Sequence, residues 1–278
     1  MVNQQSLNEL ALFAGAGGGI LGGHLLGWRT VCAVEWEQYP ASVLCARQND
    51  GLLPPFPIWD DVQSFRGEPW RGIVDVVSGG FPCTDISAAG KGAGIDGEAS
   101  GMWREMARII HEVRPRYVFV ENSPMLTSRG LGRVLGDLAA MGFDAKWGVL
   151  GANDIGANHQ RDRIWIVAKW RGQLPHAQHD RIRWWEQQQE SIKKENRKLA
   201  HSCNKGLQRH RNSRIDDQTI KQTRIPWFGV DGGSSDWWQT EPNVGRVADG
   251  VAARVDRLKA IGNGQVPLCA ATAWRILK

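Results

Sequence analysis

Over its first 170 residues the chain alternates short apolar, often β-branched runs with segments of helical spacing. That alternation restricts it to an α/β fold on a doubly wound sheet. The runs cover residues 9–13, 29–34, 58–62, 73–77, 116–120, 146–150 and 164–168, and residues 41–48, 102–113 and 131–141 between them carry helical periodicity. A parallel sheet is expected, with its ligands outside the carboxyl ends of the strands. After residue 170 the pattern fails. Residues 171 to about 245 are polar, Gln-rich and basic, and helix-compatible spacing returns only at 251–258 and 266–276, around Gly262-Asn263-Gly264-Gln265.

Four strand ends carry residues suited to chemistry. After the first strand comes Ala14-Gly15-Ala16-Gly17-Gly18-Gly19-Ile20-Leu21-Gly22-Gly23, in which Gly17, Gly19 and Gly22 satisfy GxGxxG, and the helix-like His24-Leu25-Leu26-Gly27 follows it. A glycine turn between strand and helix lets backbone approach a nucleotide-type cofactor closely. The second strand ends at Glu35, about 20 residues beyond the first glycine, where a carboxylate can take both ribose hydroxyls of an adenosine. Trp36 beside it offers a flat face to the base. NAD and S-adenosylmethionine (SAM) satisfy these features equally.

The fourth run leads into Ser78-Gly79-Gly80-Phe81-Pro82-Cys83-Thr84-Asp85. Pro82 fixes φ just before the sulfur and restricts Phe81 to extended geometry, which suits an exposed nucleophile; the alternative for Cys83 is a small buried hydrophobe. Residues 86–101 hold five glycines with Lys91 among them, a composition that reads either as a mobile lid over an active site or as a disordered surface loop. The fifth strand ends at Glu121-Asn122-Ser123-Pro124, on the same expected edge as Cys83.

Charge is unevenly placed. Of 34 Lys/Arg and 29 Asp/Glu, residues 171–224 hold 13 basic against 6 acidic, leaving 21 against 23 elsewhere. With Trp184, Trp185 and four histidines interleaved, this segment reads either as a nucleic-acid footprint or as a solvated insertion. Five scattered cysteines without a CxxC pair argue against a disulfide framework and a zinc site. No signal-peptide pattern or apolar run of membrane length is visible, so a cytoplasmic protein is expected.

Taken in order, Phe13-Ala-Gly-Ala-Gly-Gly, Glu35-Trp36, Asp61-Val62, Pro82-Cys83, Glu121-Asn122, Arg161-Asp-Arg163 and Gly262-Asn263 resemble the cytosine-C5 DNA methyltransferases, of the short bacterial or phage, Dcm-like type. The resemblance covers residues 9–169 and about 246–278. It implies a Rossmann-like SAM-dependent catalytic domain (residues 1–170 plus 258–278) and a small, irregular target-recognition region (residues 171–257). The chain departs from the family pattern at Thr84, Ser123 and His159, and it lacks a recognisable stretch of the kind that usually buttresses the recognition domain.

The resemblance implies restriction-modification chemistry on double-stranded DNA. Cytosine C5 is a poor nucleophile, so Cys83 would add to C6 of a flipped base, and Glu121 would hydrogen-bond the amino group and N3. Arg163 and Arg161 would hold the base or orient the acid. Loss of the C5 proton after methyl transfer would expel Cys83 and leave 5-methylcytosine. Phe13, Gly15, Gly17, Glu35, Trp36, Asp61, Val62, Pro82 and Asn263 would surround SAM, while Ser87, Lys91 and Asn122 would face substrate. A monomer without membrane contact is implied, with a cognate restriction endonuclease as candidate companion. The competing readings are a tRNA cytosine-C5 methyltransferase, a non-catalytic DNA-binding regulator on the same fold, and an NAD-dependent oxidoreductase.

Overall fold

The computed structural model describes residues 6–82, 101–172 and 254–278. Cys83, Ser87 and Lys91, the glycine-rich stretch around them and most of the basic segment lie outside the described residues.

Seven strands form one sheet: β1 (Asn8–Leu12), β2 (Arg29–Val34), β3 (Ile58–Trp59), β4 (Val76–Gly79), β5 (Tyr117–Asn122), β6 (Phe143–Leu150) and β7 (Arg163–Trp170). Their order is β3-β2-β1-β4-β5-β7-β6. The chain winds outward through β2 and β3, returns to place β4 on the other side of β1, and so creates a switch point between β1 and β4. All six residues of β5 are buried, as expected for a run covered on both faces.

Helices cover both faces. On one, α3 (Met102–Val113) buries Trp103, Met106, Ala107, Ile110 and Val113, the 3.6-residue stripe of an amphipathic helix. It ends where Arg114 turns left-handed ahead of Pro115, which cannot continue a helix. The short α4 (Leu126–Arg129) and α5 (Leu131–Ala140) follow, and Asp137 of α5 accepts the Trp103 indole N–H at 2.8 Å. On the other face lie α1 (Gly18–Leu25), α2 (Gln38–Asn49), α6 (Arg254–Asn263) and α7 (Pro267–Leu277). Helix α7 buries Cys269, Ala270, Ala273, Trp274 and Leu277 against β-strand residues Tyr117, Phe119 and Trp165.

Two features differ from the sequence reading. First, the expected all-parallel sheet is mixed: β7 runs antiparallel to both β5 and β6. The connection from β6 to β7 spans residues 151–162 with only the 3-10 turn Asn153–Ile155 in it and no crossover helix to carry the chain back to the other edge, so β7 returns antiparallel. Second, helix α1 begins inside the glycine run. Gly17, left-handed at φ 89°, is its N-cap. Four of the eight residues of α1 are glycine, each about 0.8–1 kcal/mol worse than alanine in a helix. Packing compensates. A Cβ on Gly22 would lie 2.8 Å from the Ala270 Cβ, and one on Gly18 would overlap the Gln265 carbonyl oxygen. The glycines bring α1 against α7 as much as they admit a ligand.

Candidate active site

A narrow cavity opens at the switch point between the carboxyl ends of β1 and β4. Its lining includes Phe13, Gly15, Gly80, Glu121, Asn263 and Gln265. The β1 turn on its rim is tightly specified. Phe13 is left-handed at φ 52°, a conformation that costs a non-glycine residue roughly 1–2 kcal/mol. It is held there from β2: the Ala14 N–H donates to the Val34 carbonyl at 3.1 Å, and the Gly15 N–H donates to Glu35 Oε2 at 2.6 Å. Glu35 Oε1 accepts the Glu37 N–H at 2.8 Å. Burial pushes the Glu35 carboxyl up, while these two N–H donors pull it down. Each oxygen retains a lone pair for a ligand hydroxyl.

Trp36, 75% exposed, presents a free face beside Glu35. Asp61 and Val62 shape the next turn and are absent from the cavity lining. The Asp61 carboxylate accepts the Gln63 N–H at 2.8 Å, and the carbonyl of buried Val62 accepts the Arg108 guanidinium at 2.8 Å.

Glu121 closes the inner end. It ends up beside Arg163 because β7 is antiparallel: Asn122 pairs with Ile164, so the start of β7 lies at the end of β5. The Arg163 Nε meets Glu121 Oε1 at 2.8 Å. Burial drives the Glu121 carboxyl above its usual range, opposed by the positive charges of Arg163 and Arg161 and by the side-chain hydrogen bonds from Gln265 and Arg163. The result is a desolvated acid held by donors, an arrangement able to give or accept a proton.

Arg161, grouped with Arg163 in the sequence, reaches a different target. Its Nη2 donates to the carbonyls of Ile261, Gly262 and Gly264, at 3.1, 2.6 and 2.5 Å. It thus fastens the loop between α6 and α7, bringing Asn263 to the cavity. The Asn122 amide donates to the Phe81 carbonyl at 3.0 Å and its side-chain oxygen accepts the Ser123 N–H, so this buried residue fixes the turn that carries Phe81 and the exposed Pro82. Among the described cysteines, Cys32 and Cys269 are buried and burial pushes their thiols up to about 11 and about 12, which keeps both sulfurs protonated and inert.

Two polar residues of the cavity escaped the sequence reading. Gln265 donates to Glu121 Oε2 at 3.3 Å. Glu9, within β1, is buried on the cavity floor and accepts the Thr30 hydroxyl at 2.7 Å and the Ser78 hydroxyl at 2.6 Å. An acid inside an apolar strand was the visible signal for Glu9. For Gln265 the signal was its position between a glycine turn and Pro267.

The profile of the family described as C-5 cytosine-specific DNA methylase matches residues 7–252. A type II methyltransferase, M.CviJI of Paramecium bursaria Chlorella virus IL3A, is 33% identical over 165 residues, covering 59% of this chain and 43% of the relative. M2.BsuMI of Bacillus subtilis, also a type II methyltransferase, is 30% identical over 170 residues, 58% of this chain and 42% of the relative. The chain therefore spans less than half the length of these two curated relatives. Among solved structures, the Dnmt2 methyltransferase of S. pombe aligns with a TM-score of 0.48 at 18% identity, covering 60% of this chain and 52% of that one.

Proposed function

The chain belongs to the C-5 cytosine-specific DNA methylase family, and from that premise we propose that it methylates C5 of a cytosine flipped out of duplex DNA, using SAM. Residues 1–170 and 258–278 carry the chemistry in this reading, and residues 171–257 read the target sequence. The observation that carries it is the Glu121–Arg163 pair at the switch-point crevice, beside the turn that leads to Pro82 and Cys83.

The residues present fit SAM. Glu35 has acceptor capacity left for two ribose hydroxyls, Trp36 and Phe13 offer apolar faces, and at Gly15 no atom stands within 4 Å of where a Cβ would sit. Bound there, SAM supplies an electrophilic methyl group.

The protein's part begins at C6. The Cys83 thiolate forms a bond to C6, and the electron pair of the C5–C6 double bond moves into the ring toward N3. Glu121, whose proton affinity burial raises, gives a proton to N3 and stabilises that charge; Arg163 keeps the carboxyl turned toward the crevice. C5 becomes nucleophilic and takes the methyl group. A base then removes the C5 proton, the C–H electron pair re-forms the C5–C6 double bond as the Cys83 thiolate leaves C6, and N3 returns its proton to Glu121. Flipping the base costs about a few kcal/mol, and phosphate contacts from the basic segment offset it.

Incubation with tritiated SAM and mixed-sequence genomic DNA, followed by bisulfite sequencing, tests this. Cys83-dependent 5-methylcytosine in one sequence context is the expected result. Label absent from DNA, with SAM still bound, overturns it, and label on tRNA instead identifies an RNA enzyme.

A further inference from the structure

The segment between α6 and α7 presses its backbone and one side chain into the crevice at a single residue, Gln265. Its carbonyl oxygen lies over Gly18 and its side-chain oxygen over Gly19, at positions that a Cβ on either glycine would invade. Its side-chain N–H reaches Glu121 Oε2 at 3.3 Å. Gly80 closes the fourth side. A Cβ there would stand 2.5 Å from Glu121 Oε2 and 3.0 Å from the Gln265 amide nitrogen. The Glu121 carboxyl is therefore gripped at both oxygens by different elements, Arg163 of β7 on Oε1 and Gln265 on Oε2.

We propose that Gln265 is a positioning residue for Glu121: its amide fixes the carboxyl plane and links the acid to the glycine turn that borders the cofactor side of the crevice. The inference rests on the reading of Glu121 as the catalytic acid.

Three observations support a built contact. Arg161 binds three carbonyls immediately before Gln265, so the backbone that delivers the amide is anchored. Val266 packs into the apolar cluster of α7, and Pro267 starts that helix, which anchors the other side. The amide is also matched to its two neighbours, with its donor toward the carboxyl and its acceptor toward α1. A leucine fills the same volume with neither function, and a glutamate sets a second carboxyl against the first.

The charged groups that bear on Glu121 are Arg163, which starts β7, and Arg161 just before it; Glu9 lines the same cavity, and residues 261–265 bring no charge. Removing the Gln265 donor should therefore raise the Glu121 midpoint, and Gln265→Glu should raise it further. The full chain labelled with ¹³C at glutamate carboxyls, with Glu121→Gln to assign the resonance, reports this directly. A midpoint about half a unit or more higher in Gln265→Leu is expected, with unchanged circular dichroism. Identical midpoints overturn the proposal.

In methyl transfer, Gln265→Leu is expected to lower kcat roughly 10-fold with KM for SAM within about twofold, and to displace the falling alkaline limb to higher pH. A raised KM with unchanged kcat makes Gln265 a packing or cofactor residue and overturns the proposal. Absent transfer in the unmutated protein refutes the catalytic reading alone, because the carboxyl titration still decides whether Gln265 holds the acid.

Discussion

Arg163 meets Glu121 across 2.8 Å because one strand of the sheet runs against the others. Were β7 parallel to β5, Arg163 would stand at the opposite edge, about 20 Å away at 3.3 Å per residue along β5. Reversal of one strand thus supplies the cation that orients the acid.

Replacing Arg163 with alanine leaves a buried acid without its main partner. The acid can take a proton, so the stability loss should stay near 1–2 kcal/mol by urea unfolding. Single-turnover methylation should fall roughly 100-fold, and Arg163→Lys should recover only part, since a point charge cannot replace the guanidinium fork. Full activity in Arg163→Ala would refute the orienting role.

Glu9 predicts a pH-dependent stability. Burial pushes its carboxyl up to about 7, against the pull of the Ser78 and Thr30 hydroxyls. The proton held by the folded state stabilises fully below about pH 4.5 and is progressively lost as pH climbs through 7, amounting to up to ~3 kcal/mol. Glu9→Gln stays neutral, so at pH 8 it should unfold at higher urea than the parent, with the gap closing toward pH 5. Parallel curves would exclude Glu9 as the titrating group.

Alanine at two glycines should act in opposite directions. Gly22→Ala drives a methyl into Ala270 and the Pro267 carbonyl and should cost about 1–3 kcal/mol. Gly136→Ala, in the middle of α5 with nothing within 4 Å of its Cβ, should gain up to ~1 kcal/mol. Urea titration of both variants separates helix packing from helix propensity.

Glu35→Gln places a donor where two N–H groups and two ribose hydroxyls need acceptors. Affinity for S-adenosylhomocysteine should drop roughly 10-fold or more by calorimetry. Unchanged affinity would remove Glu35 from the cofactor site.

Much of this was legible in the chain. The β-branched runs marked the central strands, and Glu121 was recognisable because a polar residue at the end of a buried run sits at a sheet edge. The direction of β7 was not, since the continuous apolar run 164–168 is the same read either way along a strand. Helix α1 was placed too late because Gly18, Gly19, Gly22 and Gly23 disfavour a helix locally, and only α7, some 250 residues distant, reverses that preference. Arg161 and Arg163, two residues apart, read as one motif; in the fold one fastens a loop and the other orients an acid.

The seat of α1 on α7 also sets a timetable. During synthesis the turn, Glu35 and Glu121 have left the ribosome by residue 172, but α7 begins about 95 residues later, roughly 5–19 s at ordinary elongation rates. For that interval the glycine-paved face of α1 is bare and Glu121 lacks the Gln265 amide. The nascent chain builds its sheet first, and the crevice is sealed only once α7 has been made and docked.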